Sequence, residues 1–150
     1  MEFTLKNNTI TLTSEKREIT LAPEKVTLDG LDIEVAGEYE KSGCLMYSFV
    51  RDTEQVYHFR VEGYWIAYIP TPVTDISAEA LDFLGTVDIL VMSGAKSTST
   101  LLEKIEPRLF VTYGPTANEI AVTLGASEAM VKYKLKETDL SSEKTGCVLL

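Results

Sequence analysis

The sequence predicts one β-rich α/β domain, with mixed sheets packed together and helices on an outer face. Three observations predict it. Roughly the first 65 residues alternate apolar and polar side chains in short runs separated by turn residues. The remainder switches to helical patterns interleaved with continuous apolar runs. No repeat, low-complexity tract or linker divides the chain, so residues 1–150 read as a single domain.

The elements follow in order. Phe3 and Leu5 alternate ahead of the turn pair Asn7-Asn8, and Ile10 and Leu12 resume the alternation after it. The polar run Ser14-Glu15-Lys16-Arg17 leads to Ile19 and Leu21. Val26-Thr27-Leu28 reaches Asp29-Gly30, a strong hairpin signal because two-residue type I′ turns need positive φ at both central positions. Leu31, Ile33 and Val35 continue the alternation, and Gly37 and Gly43 punctuate before the strand residues Leu45 to Val50. Val56 to Val61 forms the next strand. Glu62-Gly63 turns it into Tyr64 to Ile69, which is apolar on both faces and therefore predicted to be central and covered on both sides.

After Pro70 the periodicity lengthens. Thr74-Asp75 is predicted to cap a helix that turns Ala80, Leu81 and Leu84 inward and stops at Gly85. Val87 to Met92 reads as a buried strand. Ser97 to Ser99 open a short helix with Leu101, Leu102 and Ile105, ended by Pro107. Arg108 to Tyr113 is another strand. Thr116-Ala117-Asn118-Glu119 has capping-box spacing ahead of Ile120, Ala121 and Leu124, with Gly125 at the stop. Strands near Met130 to Leu135 and Gly146 to Leu150 close the chain.

Composition limits the function. At 150 residues, 45% hydrophobic and 25% charged, the chain is an ordinary globular sequence and not a disordered, collagenous or coiled-coil one. A chain of this length buries roughly 70% of its unfolded surface, so it needs no disulfide or metal to hold a core. Fourteen basic against 23 acidic residues leave a net charge of −9, which argues against nucleic acid and anionic membrane as partners. No apolar run approaches the roughly 20 residues that span a bilayer, and no signal-peptide pattern opens the sequence. The expected compartment is cytoplasmic.

The chemistry-bearing residues are few. Cys44 and Cys147 form no CxxC pair and are expected to be small buried thiols, although sequence alone leaves a disulfide between them open. His58 is the only histidine. Alternation places it with Val56 and Arg60 on the more polar face of its strand, so it is expected at the surface. One imidazole cannot build a His-rich zinc site, and no Gly-x-Ser-x-Gly elbow accompanies it. Glu38 and Glu40 alternate beside Tyr39, a spacing read as a solvated strand face rather than a catalytic acid pair. The C-terminal Cys147-Val148-Leu149-Leu150 matches a prenylation box but suits a closing strand better.

The order of several phrases resembles the metallo-β-lactamase-fold hydrolases, in particular a small lactone-hydrolase-like branch. They are Ile33 to Gly43 with its Gly-Glu-Tyr-Glu core, Glu62 to Ile69, Val73 through Leu90, Ile105 to Val111, and Tyr133 to Leu140. The likeness covers roughly residues 26 to 150. It implies a truncated metallo-β-lactamase-like αββα sandwich, shortened at the N-terminus. It also implies a zinc-dependent hydrolase ancestry, which the residues contradict. The family's His-x-His-x-Asp-His motif precedes the Gly-Glu-Tyr strand, and here no histidine lies before it. The metal-bridging aspartate falls near Thr71, and the last histidine ligand at about Gly114. The loop after the Val87 to Met92 strand shrinks to Ser93-Gly94-Ala95-Lys96.

The expectation is therefore a metal-free, cofactor-free relic that binds or assembles. If the resemblance holds, Thr71, Ser93, Lys96 and Tyr113 line the old cleft as tentative ligand-binding residues for a small molecule not identified by sequence. The alternative is a hydrolase of a small ester, lactone or phosphoester through a non-standard site, with Lys96 beside hydroxyls as nucleophile or anion anchor. Missing strands would leave a face to hide, so a homodimer is expected. A metal-bearing relative as partner is a further possibility with no sequence feature of its own.

Overall fold

A computed structural model of the chain describes residues 1–126, 128–140 and 143–150. The strands are β1 (Glu2–Lys6), β2 (Thr9–Ser14), β3 (Arg17–Leu21), β4 (Val26–Leu28), β5 (Leu31–Ile33), β6 (Gly37–Lys41), β7 (Cys44–Arg51), β8 (Glu54–Val61), β9 (Tyr64–Ile69), β10 (Ile89–Ser93), β11 (Leu109–Tyr113), β12 (Lys132–Lys134) and β13 (Gly146–Leu149). Three short helices, α1 (Ala78–Leu84), α2 (Ser99–Ile105) and α3 (Ala117–Thr123), follow β9, β10 and β11.

Two sheets result. One is antiparallel throughout, in the order β12-β1-β2-β3-β4-β5. The other runs β13-β11-β10-β9-β8-β7-β6 and is mixed: β6 to β9 are antiparallel, and β9, β10, β11 and β13 are parallel. Local turn chemistry drives the hairpins. Asp29 and Gly30 take φ of 48° and 83°, and Glu62 and Gly63 take 52° and 84°, the double-positive geometry of a type I′ turn.

Phe3, Ile10, Leu12, Ile19 and Leu21 of the first sheet meet Met46, Phe59, Ile66, Val91 and Val111 of the second between the layers. On the far side of the second sheet, Ala67, Ile69, Leu90, Met92 and Phe110 pack under Ala80, Leu84, Leu101 and Ile120 of the helices. β9 thus has apolar neighbours on both faces, as its sequence predicts. The buried apolar residues of the three helices belong to this side, while Val122 of α3 faces solvent. The outer face of the first sheet carries Thr4, Thr11, Thr20 and Thr27 in one register row, polar enough for water to cover it.

Three local expectations change. α1 is capped by Ser77, whose Oγ accepts from Ala80 N at 3.1 Å, and not by Thr74-Asp75. Asp75 is drawn away by Lys104, 2.6 Å from its Oδ1. The Thr116 capping box does not form, because the hydroxyl donates to the Gly94 carbonyl at 2.8 Å instead. His58 is 7% exposed and not at the surface. Its strand lies inside the sheet, so the more polar face points at the helical layer, where the ring stacks on Trp65 at 4.5 Å and meets Phe83 edge-on.

Candidate functional site

In open α/β sheets ligands bind outside the carboxyl ends of the strands. Here those ends belong to β9, β10 and β11, followed by Pro70-Thr71, Gly94 to Ser97 and Gly114 to Thr116. The structure sorts the four sequence-predicted residues into three places. Ser93 and Tyr113 are register partners at the ends of β10 and β11. Lys96 is exposed and opens a 3₁₀ turn (Lys96–Thr98) that leads into α2. Thr71 is exposed on the neighbouring loop.

Lys96 lines a cavity of about 830 Å³ together with Ser97, Ser99, Pro115, Thr116, Asn118 and Glu119. Neither Thr71, Ser93 nor Tyr113 lines it. Asn118 and Glu119 escape a sequence reading because their only signal was a capping pattern, which spends them on helix geometry. With the box unformed, both side chains are exposed on the cavity wall.

Two glycines let the loops cross this closely. The Gly94 N–H donates to the Tyr113 carbonyl at 3.3 Å, and a Cβ at Gly94 would sit 2.4 Å from Thr112 Oγ1. Gly114 has φ of +100°, and its Cβ would lie 2.4 Å from Ser93 Oγ. Tyr113 is buried beneath this crossing, so it fills the space between the sheets instead of facing an open cleft. Burial pushes its phenol up, as it does that of Tyr68, where the neighbouring Tyr113 adds to the effect. The hydroxyls of Tyr68 and Tyr113 are buried beside each other with no other hydrogen-bond partner among the described residues, and that of Thr112 is buried with none.

A zinc site of the kind implied by the resemblance needs three or more converging imidazole, thiolate or carboxylate donors. Among the described residues no such group of three exists. The strand ends offer proline, threonine, serine, tyrosine and glycine. His58 lies on the opposite face of the sheet, its Nε2 3.0 Å from the Thr86 carbonyl. Burial holds its pKa low, against the opposing influence of that carbonyl and of Asp88. Cys44 is buried and donates to the Arg60 carbonyl at 3.3 Å, while burial pushes the Cys147 thiol up to about 12. Both thiols are free and neither is activated. The residues present do not fit the metal.

No family model matches the sequence, and no curated protein matches it. A solved structure does: the crystal structure of a proposed zinc-dependent hydrolase of the metallo-β-lactamase superfamily from Thermotoga maritima superposes with a TM-score of 0.78 at 14% identity. The match covers 99% of this chain and 98% of that one, so against this neighbour the expected N-terminal shortening does not register. Among the described residues no helix is long and apolar enough to cross a membrane. With its two facing sheets and one helical layer, the chain has a metallo-β-lactamase-like fold.

Proposed function

We propose that this chain is a metal-free, non-catalytic binding or assembly protein built on a hydrolase fold. The observation that carries the reading is the donor set at the ends of β9, β10 and β11, where Pro70, Thr71, Ser93, Tyr113 and Gly114 stand. Hydrolysis in this fold rests on zinc lowering the pKa of bound water to about 7. Neutral hydroxyls and a backbone glycine do not hold a divalent ion against water. The alternative, an ester, lactone or phosphoester hydrolase with its own nucleophile, has less support. Ser93 has no imidazole beside it, since His58 faces the helices, and Lys96 is a solvent-exposed side chain.

Elemental analysis of tag-free protein, paired with a turnover screen on lactones, phosphoesters and thioesters, tests the reading. It predicts substoichiometric zinc and no turnover. Stoichiometric zinc, or turnover that Lys96→Ala abolishes, overturns it. The homodimer belongs to the same proposal and is read by light scattering. A mass of twice 16.6 kDa at micromolar concentration supports it, and the monomer mass removes it.

A further inference from the structure

One edge of the second sheet is open. β6 pairs with β7 alone, so its other side presents a row of unpaired backbone N–H and C=O groups along five residues. At about 3.4 Å per residue that row is roughly 17 Å long. The remaining edges are shorter or covered. β5 and β12 have three residues each, and the bridge from Ala129 to Leu149 lies along β13.

The side chains of this edge sort by face. Glu38 and Glu40 share the helix-side face, in register with Tyr47 and Leu45 of β7. Both are exposed, and neither has an ion pair among the described residues. The cations of that face do not reach them. Arg51 is held by Glu79 at 2.6 Å, and Arg60 lies over the Trp65 ring, two strands or about 10 Å from β6. Tyr39 faces the other way and packs against the core between the sheets. Its hydroxyl donates to the Val35 carbonyl at 2.6 Å and accepts from the Val35 N–H at 3.4 Å, which fixes Val35 beside the start of β6. Val35 is 68% exposed. An incoming strand therefore meets two unpaired carboxylates on one face and apolar groups on the other.

Charge excludes a second copy of β6 from this place. A two-fold antiparallel pair keeps every side chain on its own face, so residues of equal parity meet. Centred on Tyr39, such a pair sets Glu38 against Glu40; centred on either glutamate, it sets that glutamate against itself. Like charges directly opposite destabilise a strand pair, whereas lysine or arginine at the same positions stabilises it.

We propose that β6 accepts a basic extended segment of another protein as an added strand of the second sheet. Lysine or arginine at alternate positions stands beside Glu38 and Glu40, and an aliphatic residue between them stands beside Tyr39 and Val35. Main-chain hydrogen bonds supply the affinity, and the alternating side chains supply the selectivity. This deepens the binding reading above and rests on it for a non-catalytic role. Zinc content and turnover decide that reading, whereas peptide titration decides this one.

The probe is a seven-residue peptide of alternating lysine and valine, blocked at both ends, titrated into the isotope-labelled full chain and followed by amide shifts. Its glutamate–valine counterpart is the control. Saturable shifts centred on β6, β7 and Val35, which weaken with salt, are the expected result. The exposed double reversal Glu38→Lys/Glu40→Lys should weaken binding by roughly tenfold or more, while Glu103→Lys/Glu106→Lys on α2 leaves it unchanged. Matching thermal melts of both variants and the wild type establish that folding is retained. A second measurement needs no variant. N-methylation of alternate peptide residues keeps the charge and removes the donors of one strand edge, so one of its two phases should abolish binding and the other preserve it. Any of five results overturns the proposal: no binding of the basic peptide, shifts centred on another face, equal binding of the acidic peptide, an equal loss in the α2 variant, or full binding in both N-methylated phases.

Discussion

Gly94→Ala adds one methyl group at the tightest loop crossing, and its cost can be read from what that methyl meets. An ideal Cβ falls 2.4 Å from Thr112 Oγ1, 3.0 Å from Ile120 Cγ2 and 3.3 Å from Phe110 Cζ. Ordinary carbon contacts begin near 3.5 Å, so three buried side chains from β11 and α3 must give way together. Overpacking of this kind costs about 1–3 kcal/mol. For a chain of this size that lowers Tm by roughly 2–4 °C per kcal/mol, measurable by thermal or urea unfolding. The nearest obstacle is a single atom, so Thr112→Ala in the same chain should recover part of the loss. The double-mutant cycle should show a coupling of about 0.5–3 kcal/mol, with the double variant less damaged than the sum of the singles. Gly114→Ala should behave differently. Ser93→Ala removes its 2.4 Å clash but leaves the strain of a φ of +100°, so the rescue is incomplete. A wild-type melt for Gly94→Ala, or additive behaviour with Thr112→Ala, refutes the crossing as described.

Three further outcomes follow from the same packing. Tyr68→Phe and Tyr113→Phe each delete one hydroxyl of a buried pair whose polar neighbour is the other, so the double Phe variant should be no less stable than either single variant; a double variant that loses more than the sum of the singles in urea titration refutes the pairing. Ser77→Ala removes both the α1 cap and the side-chain bond to Glu54 Oε1 at 2.5 Å, and should cost about 1–2 kcal/mol by the same assay, whereas Thr74→Ala costs almost nothing. His58 is buried with its pKa held below that of the unfolded chain, so the unfolded state takes up a proton first as pH falls. Its contribution is complete above about pH 6.5 and declines as pH drops toward the folded-state pKa. Urea midpoints between about pH 7 and 5 should fall in the wild type and fall less in His58→Gln.

The parts of the fold legible in sequence are those fixed by neighbouring residues. Asn7-Asn8, Asp29-Gly30 and Glu62-Gly63 all take positive φ, because a two-residue turn is decided within four residues of chain. The N-caps of α1 and α3 were not legible for the opposite reason, although the stop of α1 at Gly85 was. Asp75 answers to Lys104, Ser77 to Glu54 and Thr116 to Gly94, partners 29, 23 and 22 residues away, and each pairing outweighs the local pattern. His58 marks the same boundary: alternation assigns a side chain to a face but does not say that α1 covers that face.

The candidate site divides along the same line. That Ser93 and Tyr113 end adjacent strands was accessible once the strands were placed, and their pairing in register agrees. That Tyr113 is buried, while Lys96 shares a cavity with Asn118 and Glu119, depends on how far α2 stands from α3. No residue in either helix announces that spacing, because it depends on packing against residues distant in the chain, such as Phe110 and Met92 beneath Leu101 and Ile120. The Gly94 and Gly114 crossing stands over Tyr113, which fills the space between the sheets and takes no part in the Lys96 cavity.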